Sequence, residues 1–459
     1  MGGRRTDEEH IHFWKGLAHR EQIIYCRIRQ WPGSRSSRSE TRIKRQSVRI
    51  LLTSDSYPPL IGGATRAAQQ IALAMRERGH QVEVITVWQP TLPTREQDGP
   101  VTVHRLRGLT HRIPGLSADP FRLGPPPYPD PELAWRIRRV VKSFQPDIVH
   151  AYGWLTYSLS VALLGTSIPV LLSARDYGNF CALRTLFRKN EVCSGPALGK
   201  CLECASSHYG HIKGTVATVG VLSGRSLLRH KLRGLHSCSG FVQKSVHKNM
   251  LNSNIINMPD AVLPDWRDPY DPDAIPDEAI LARLPSEPFI LFVGALSHVK
   301  GIRPLCEAYK LLRDPPPLVL IGGRTPDTPE IPRGVTVLKN VPHPTVMATW
   351  DQSLFGVFSS LWPEPLGNVI HEAMSRGKAV IGTRPGGHGE MIIEGENGFL
   401  VPSGDIGALA EAMQTLIDND GLRTRMGARG YVLADRFAAK QIIPRFENLY
   451  ADIVKSTHA

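Results

Sequence analysis

The chain has 459 residues, of which 41% are hydrophobic and 21% are charged, and its formal net charge is +13. This length predicts two or three domains, and the apolar content is sufficient for buried cores, which excludes a wholly disordered chain. The sequence contains no uninterrupted apolar run of about 20 residues, as a membrane-spanning helix needs. No nucleic-acid-binding motif accompanies the positive charge, so we expect no nucleic acid partner.

The first 47 residues read as a basic extension that precedes the fold. Residues 1–49 contain twelve Lys or Arg and five Asp or Glu. They lack the apolar core of a secretory signal, so we expect a cytoplasmic protein. A disordered extension and a misplaced start codon both explain this composition, and we assign residues 1–47 as disordered.

From residue 48 onward, short apolar runs alternate with amphipathic segments. This alternation is typical of a doubly wound α/β domain, which we place at residues 48–257. Glycines Gly62 and Gly63 follow the first apolar run. The predicted elements are strand 48–53, helix 66–78, strand 81–87, helix 131–144 and strand 147–150.

Four of the seven cysteines lie within residues 181–204, which we call the Cys-rich insert. They are Cys181, Cys193, Cys201 and Cys204. The last two form a C-x2-C knuckle, and four such thiols are able to close a tetrahedral zinc site. A structural zinc ion is one interpretation, and disulfides or free thiols are the other. Disulfides suit a cytosolic protein less well.

A second concentration of positive charge lies at residues 184–233, with nine Lys or Arg against two acids. Within it, residues 212–235 mix apolar and basic side chains, as an interfacial helix does. Peripheral contact with the anionic inner face of a membrane is one interpretation. A solvated basic surface explains the composition equally well.

The stretch 258–288 is rich in Pro and Asp and is predicted to be a linker. A second alternating series follows it, and we place a second domain at residues 289–436. Its predicted elements are strand 289–293, helix 304–313, strand 318–321 and strand 379–382.

The segment at 362–374 reads Trp-Pro-Glu-Pro-Leu-Gly-Asn-Val-Ile-His-Glu-Ala-Met and contains two acids. Pro365 disfavours helical geometry at Glu364 and is itself suited to the first helical position. We therefore predict a helix from Pro365 to about Gly377. This places Glu364 on the preceding loop and Glu372 two turns inside the helix.

The same helix start predicts an anion-binding site. The amides of Leu366, Gly367 and Asn368 would have no intrahelical acceptor and would form a positive helix end suited to a phosphate. A carboxylate beside such an end is an arrangement able to hold a phosphorylated sugar. An ordinary surface helix with a proline start explains the segment equally well when it is taken alone.

Three features of this region occur together in a known family. They are the Glu-x7-Glu pair, the Gly386-Gly387…Glu390 loop and the run Asn397-Gly398-Phe399-Leu400-Val401. In them the chain resembles the retaining nucleotide-sugar glycosyltransferases of the GT-B fold, glycosyltransferase family 4, over about residues 48–455. The resemblance implies an α/β fold with two doubly wound Rossmann-like domains facing a cleft. It also implies that the last helix, residues 437–459, crosses back to the N-terminal, acceptor-binding domain.

The resemblance implies functions for individual positions. Gly62 and Gly63 match the loop that lets the donor diphosphate approach, and Lys300 matches the lysine that pairs with phosphate. Glu364 is expected to contact sugar hydroxyls and Glu372 the donor ribose. Lys300 and Glu364 are the predicted catalytic residues. The departing phosphate itself takes the acceptor proton in this scheme, so no cofactor is required.

Two positions depart from the family pattern. Ala295 stands where the family normally has arginine, so that half of the phosphate clamp is missing unless Arg303 or Arg384 replaces it. Arg175 stands where the family commonly has histidine, directly before Asp176, and arginine cannot act as a base at neutral pH. We nevertheless expect both Arg175 and Asp176 on the acceptor side.

The sequence thus predicts a retaining transferase that moves a hexose-type sugar from a nucleoside-diphosphate sugar to a saccharide or lipid-linked acceptor. Assembly of a cell-surface polysaccharide or glycoconjugate would suit it. Two alternatives remain: a catalytically silent GT-B scaffold that binds nucleotide sugars, and a GT-B nucleotide-sugar epimerase. Ala295 and Arg175 favour the scaffold, whereas the intact Glu364 and Glu372 pair favours the transferase. The identity of the sugar is not encoded in a motif, because it depends on single contacts.

Overall fold

The computed structural model describes residues 47–60, 62–113, 123–250, 258–264 and 275–458. We call the described residues up to 264 the first half and those from 275 the second half. The predicted extension 1–47 lies outside the described residues except for Ser47, and so does the middle of the predicted linker, 265–274.

The first half contains a parallel sheet that carries one antiparallel edge strand. Its strands are β1 (Arg49–Ser54), β2 (Gln81–Val87), β3 (Arg95–Asp98), β4 (Val101–Leu106), β5 (Ile148–Tyr152), β6 (Val170–Ala174), β7 (Phe187–Arg188), β8 (Glu191–Val192), β9 (Leu232–Ser237) and β10 (Asp260–Val262). The sheet order is β10-β9-β6-β5-β1-β2-β4-β3, with β3 antiparallel to β4. Strands β7 and β8 pair with each other as a separate hairpin.

Helices cover the faces of this sheet. They are α1 (Gly63–Glu77), α2 (Pro131–Phe144), α3 (Leu155–Ala162), α4 (Leu198–Tyr209), α5 (His211–Lys231) and α6 (Gly240–Asn249). Because the faces are covered, the central strands β5 and β6 are buried at every residue and are mostly apolar. Asp130 caps α2 by accepting a hydrogen bond from the amide of Leu133, and Pro131 occupies the first helical position.

The second half repeats the architecture with parallel strands. They are β11 (Phe289–Val293), β12 (Leu318–Ile321), β13 (Thr336–Leu338), β14 (Ser353–Val357), β15 (Ala379–Arg384) and β16 (Gly398–Pro402), in the sheet order β13-β12-β11-β14-β15-β16. The helices are α7 (Glu278–Leu281), α8 (Ile302–Lys310), α9 (His343–Gln352), α10 (Asn368–Ser375), α11 (Ile406–Asp418), α12 (Asp420–Ala434) and α13 (Ala439–His458).

The order of the strands in each sheet predicts where its ligand-binding crevice lies. Strand β1 lies between β2 and β5, and β11 lies between β12 and β14, so the strand order reverses at both positions. In open α/β sheets, ligands bind outside the carboxyl ends of the strands at such points. The loops that follow β1, β11 and β14 are therefore the ones to inspect for a site.

The C-terminal helix α13 packs on the first half. Its buried side chains Ile442, Phe446 and Tyr450 share one apolar cluster with β1 and α1. Tyr450 also lies with its hydroxyl 2.7 Å from Nδ1 of the buried His150 in β5. This helix therefore ties the end of the chain to the first sheet.

Three sequence predictions differ from the structure. The predicted interfacial helix 212–235 ends at Lys231, because the following residues form the inner strand β9. The predicted linker 258–288 contains β10, which pairs with β9 in the first sheet. The helix predicted from Pro365 to about Gly377 is shorter and runs over Asn368–Ser375.

Candidate active site

An ion pair between two loops of the second half marks the candidate site. Lys300 lies on the loop after β11, and Glu364 lies on the loop after β14. The Lys300 Nζ is 2.7 Å from Oε2 of Glu364, and their side chains are 28% and 12% exposed. Ser360 Oγ and Trp362 Nε1 donate to the same oxygen at 3.0 Å and 2.8 Å. The structure thus joins the two predicted catalytic residues.

Glycine is required where these two loops touch. Gly301, directly after Lys300, has φ of 71°, and a Cβ added there would lie 1.8 Å from the carbonyl oxygen of Ser359. The Ser359 hydroxyl donates to the Gly301 carbonyl at 2.9 Å. Any larger residue at 301 would push the loops apart, so Gly301 positions Lys300 over Glu364.

A neighbouring cation and hydrogen-bond donors keep the buried Glu364 ionised. Burial alone would raise the pKa of this carboxyl, but the Lys300 ammonium and the hydrogen bonds from Lys300 and Ser360 outweigh it. The pKa of Glu364 is therefore lowered below its ordinary value. The group carries its negative charge throughout the neutral range.

His388 is a site residue that sequence reasoning missed. It is 2% exposed and lies in the Gly386-Gly387…Glu390 loop. Burial lowers the pKa of His388 to about 4, although Glu364 opposes the shift. The Thr383 amide donates to its Nδ1 at 3.0 Å, so the neutral ring carries its proton on Nε2. A histidine between glycines at this loop was the available sequence signal.

The glycine pair in this loop packs directly on the Glu364 loop. The Gly387 amide donates to the Glu364 carbonyl at 2.6 Å. A Cβ on Gly387 would lie 2.1 Å from the Pro365 carbonyl oxygen, and one on Gly386 would lie 2.9 Å from the Glu364 amide nitrogen. The two glycines therefore allow this loop to hold the backbone on either side of Glu364.

The helix end after Glu364 starts three residues later than predicted. Pro365 is not helical, because its carbonyl accepts a hydrogen bond of 2.5 Å from Ser239 Oγ in the first half. Gly367 then turns the chain with φ of 90°, and α10 begins at Asn368. The amides of Leu366 and Gly367 therefore precede the helix. The Leu366 side chain is 4% exposed and belongs to the core.

The N-terminal ends of α1 and α10 face each other across the crevice. Gly62 precedes α1, and a Cβ added to Gly63, its first residue, would lie 3.9 Å from Asn368 Nδ2 at the start of α10. Both helix ends carry partial positive charge. Their convergence, at the end of the loop that carries Glu364, creates a place suited to a polyanion such as a diphosphate.

Glu372 lies one turn inside α10, not two, because the helix starts late. It is 5% exposed, and its Oε1 is 3.1 Å from His343 Nε2, the first residue of α9. Glu372 thus lies on the helix whose N-terminal end is the predicted anion site. Its partner His343 belongs to α9, whereas the partner of Glu364 is Lys300 on the loop after β11.

The predicted acceptor-side residues follow β6. The Arg175 guanidinium lies 5.9 Å from the centre of the Tyr152 ring. Asp176 accepts a hydrogen bond of 2.7 Å from the Gly178 amide and lies 3.8 Å from the Arg184 guanidinium. Arg184, which sequence reasoning did not single out, also pairs with Asp55 after β1. These residues form a charged cluster on the first half.

Hydrogen bonds join the two halves around the site. The Tyr177 hydroxyl donates to the Pro363 carbonyl at 2.7 Å, next to Glu364. The Ser239 hydroxyl donates to the carbonyl of Pro365, two residues after Pro363. On the other side, the Gly240 amide donates to Glu390 Oε1 at 3.0 Å. The Glu364 loop is therefore held by both halves.

Arg303 and Arg384 are the two candidates to replace the arginine that is missing at Ala295. Arg303, in the first turn of α8, and Arg384, at the end of β15, both have exposed side chains. Either is thus accessible to a ligand rather than committed to the core.

The four cysteines of the insert line one cavity of about 30 Å³. None of them forms a disulfide in the part of the chain that the structure describes. Within that part, no three Cys, His, Asp or Glu side chains are arranged ready to hold a metal ion. The described helices also include none that is both long and apolar enough to cross a bilayer.

Known proteins share both this sequence pattern and this fold. Residues 276–432 match the family Glycosyl transferases group 1, and residues 62–240 match the Glycosyl transferase 4-like domain. Alpha-maltose-1-phosphate synthase of Mycolicibacterium smegmatis is 30% identical over 411 residues, which cover 83% of this chain and 93% of that protein. The chain therefore belongs to the group 1 glycosyltransferases.

Solved structures show the same GT-B fold. Sucrose-phosphate synthase from Thermosynechococcus elongatus superposes with a TM-score of 0.67 at 19% identity, over 89% of this chain and 100% of that one. HepE of Anabaena in complex with UDP-glucose superposes with a TM-score of 0.60 at 17% identity, over 89% and 100% of the two chains. The predicted α/β fold and family are thereby confirmed.

Proposed function

We propose that this glycosyltransferase uses a nucleoside-diphosphate sugar and transfers a hexose-type sugar with retention of configuration. The observation that carries the proposal is the Lys300–Glu364 pair, because the loop that carries Glu364 leads directly to the start of α10, where that helix meets the start of α1. A cation and two positive helix ends suit a departing diphosphate, and the neighbouring carboxylate suits a sugar. The UDP-glucose bound to the structurally similar HepE agrees with this donor class.

Each site group has a definite task in this scheme. Lys300 and the start of α10 stabilise the negative charge that develops on the leaving phosphate. Glu364 Oε2 is occupied by Lys300, Ser360 and Trp362, so we assign Oε1 to a sugar hydroxyl. Glu372 would contact the donor ribose. These assignments leave Glu364 an anchored acceptor of hydrogen bonds rather than a nucleophile.

His388 acts as a hydrogen-bond donor rather than a base. With its pKa at about 4 and Nδ1 occupied by the Thr383 amide, the ring offers only Nε2–H to a ligand. The departing phosphate oxygen then accepts the acceptor proton on the face that the leaving group vacates. Attack on this face, through an oxocarbenium-like transition state, retains the configuration.

The configuration of the product tests retention. We expect the wild-type protein to form an axial linkage from an axially linked donor, visible as an unchanged anomeric coupling constant in the proton NMR spectrum. Hydrolysis of the donor to the same anomer serves when the acceptor is unknown. Formation of the opposite anomer would contradict the same-face mechanism.

For the acceptor we propose a saccharide or lipid-linked molecule presented at an anionic membrane. The exposed side chains Ile212, Val216 and Val219 form one stripe along α5 and are 83%, 43% and 50% exposed. Beside the stripe lies an apolar hollow of about 380 Å³ that includes Tyr128. An exposed apolar stripe in a basic segment suits peripheral contact with the inner face of a membrane.

Not all of the basic residues in this segment serve such a surface. Arg225 and Arg229 donate to the carbonyls of Asn249 and Met250, and Lys231 donates to that of Leu163 at 3.1 Å. These three hold α5 to the fold. The apolar stripe is therefore the stronger support for membrane contact, and long-range attraction by the net charge is secondary.

Vesicle binding tests the stripe. Replacing Ile212 and Val216 together by Asp should weaken binding to vesicles containing an anionic phospholipid by about tenfold or more, because it removes apolar burial and adds repulsion. The matched control is Val432→Asp on α12 of the second half, where Val432 is 47% exposed. Equal binding by both variants in co-sedimentation, or no binding of the wild type, would contradict the membrane proposal.

A further inference from the structure

The Cys-rich insert brings four thiols from three separate elements around one cavity. Cys193 directly follows β8, and Cys201 and Cys204 lie on the first two turns of α4. Cys181 comes from the loop after β6. All four line the cavity of about 30 Å³, together with the cationic side chains of Arg188 and Lys200. Sequence spacing alone did not require such a convergence.

A backbone amide and two cationic side chains lie at this cavity. The Ala197 amide donates to Cys201 Sγ at 3.4 Å. Hydrogen bonds from amides favour a negatively charged sulfur. Arg188 and Lys200 would balance the negative charge that four thiolates leave around a divalent cation.

The insert packs on the main core through the buried Leu186 and the half-buried Cys181 and Cys193, but it has little core of its own. Its strands β7 and β8 are two residues long. The separate apolar cluster beside it consists of three alanines and one valine, Ala182, Ala205, Ala217 and Val221. Small units with so little apolar burial commonly depend on a metal ion or on disulfides.

We propose that Cys181, Cys193, Cys201 and Cys204 together bind one structural zinc ion. Zinc is favoured because four thiolates in a tetrahedral arrangement are its usual structural ligand set, at Zn–S distances of about 2.3 Å. The four side chains are not yet arranged as metal ligands. Binding requires the four sulfurs to converge within the cavity that they line.

The ion would stabilise a contact with the donor loop. The turn between β7 and β8 carries Asn190, whose Oδ1 is 2.9 Å from His298 Nε2 on the loop that leads to Lys300. Arg188 in β7 pairs with Glu203 of α4 at 2.5 Å, so that the hairpin is in contact with the C-x2-C helix. The zinc ion therefore links the insert to the position of Lys300. This link to the donor site rests on the proposed function, whereas metal binding does not.

Elemental analysis of the purified full-length protein tests the site. We expect about one zinc per chain in the wild type and in Cys306→Ser, which removes a thiol buried in α8. Cys201→Ser combined with Cys204→Ser should lose the metal. Zinc retained in that double variant at the wild-type level would overturn the assignment to these cysteines.

A measurement on the wild type alone guards against a double variant that fails to fold. Titration with an organomercurial, followed by a zinc-binding dye, should release the zinc in proportion to the thiols modified. A metal-free protein whose four thiols all titrate freely would overturn the proposal. So would mass-spectrometric mapping that finds these cysteines in disulfides. Metal content is read without any activity assay, so failure of the proposed transferase reaction would leave this result distinct.

Discussion

Glu364→Gln lowers kcat/KM for sugar transfer by about 10³-fold, because the variant loses the charge that anchors Lys300 and the sugar. The substitution keeps the size of the side chain and the position of its polar end. However, it leaves the Lys300 ammonium, which is 28% exposed, without its carboxylate partner at 2.7 Å. The loss should appear mainly in kcat, since the interaction with the sugar strengthens as charge develops at the anomeric carbon.

A surface glutamate in the same half supplies the control. Glu396 is 48% exposed and pairs with Arg429 at 3.0 Å. Glu396→Gln should retain wild-type kcat/KM, because surface ion pairs contribute about 1 kcal/mol or less. Thermal unfolding of both variants separates a folding defect from a site defect. Near-wild-type activity in a correctly folded Glu364→Gln variant would remove Glu364 from the mechanism.

Lys300→Ala lowers kcat/KM by about 10²- to 10³-fold, since it removes the one side-chain cation that contacts Glu364 among the described residues. The expected loss is large because Ala295 already replaces the arginine that the family normally places nearby. The same change also frees Glu364, whose negative charge would then repel the donor diphosphate. Steady-state kinetics with a fixed acceptor measure the effect.

The matched control for this lysine is Lys310→Ala. Lys310 is the exposed last residue of α8, the helix that begins two residues after Lys300. It should leave kcat and KM unchanged. Added guanidinium or alkylammonium ions should restore part of the activity of Lys300→Ala only. Equal kinetics for the two variants would show that Lys300 is a surface charge without a function at the site.

Local sequence signals located the regular elements well where they were unambiguous. The bounds predicted for 81–87, 131–144, 289–293 and 318–321 are those of β2, α2, β11 and β12. These segments are either short apolar runs or a helix with a capping Asp and an initial Pro. In each of them the local preference and the packing agree.

The prediction failed where distant contacts decide the backbone. Pro365 is a good first helical residue, but its bond to Ser239 of the other half keeps it out of the helix. The mixed apolar and basic segment 212–235 contains both α5 and part of β9, a boundary that composition does not mark. Neither the Pro365–Ser239 hydrogen bond nor the boundary between α5 and β9 can be read from neighbouring residues in the sequence.

The candidate site also combines features that the sequence predicted with features that it did not. Family resemblance assigned Lys300 and Glu364 to one site, but their direct contact was not predicted, because the two residues are 64 positions apart. His388 and Arg184 were missed because their importance depends on burial and on partners from other loops. Sequence motifs therefore identified the loops of the site, and the structure identified which side chains meet.

The most direct test of the central claim is release of free nucleoside diphosphate. Wild-type protein is incubated with a panel of nucleoside-diphosphate sugars, with lipid-linked and saccharide acceptors present, and the products are measured by mass spectrometry alongside Lys300→Ala and Lys310→Ala. We expect release from one donor by the wild type and by Lys310→Ala, and its loss in Lys300→Ala. Tight binding of a donor without release by any of the three proteins would contradict a transferase and indicate a nucleotide-sugar-binding scaffold.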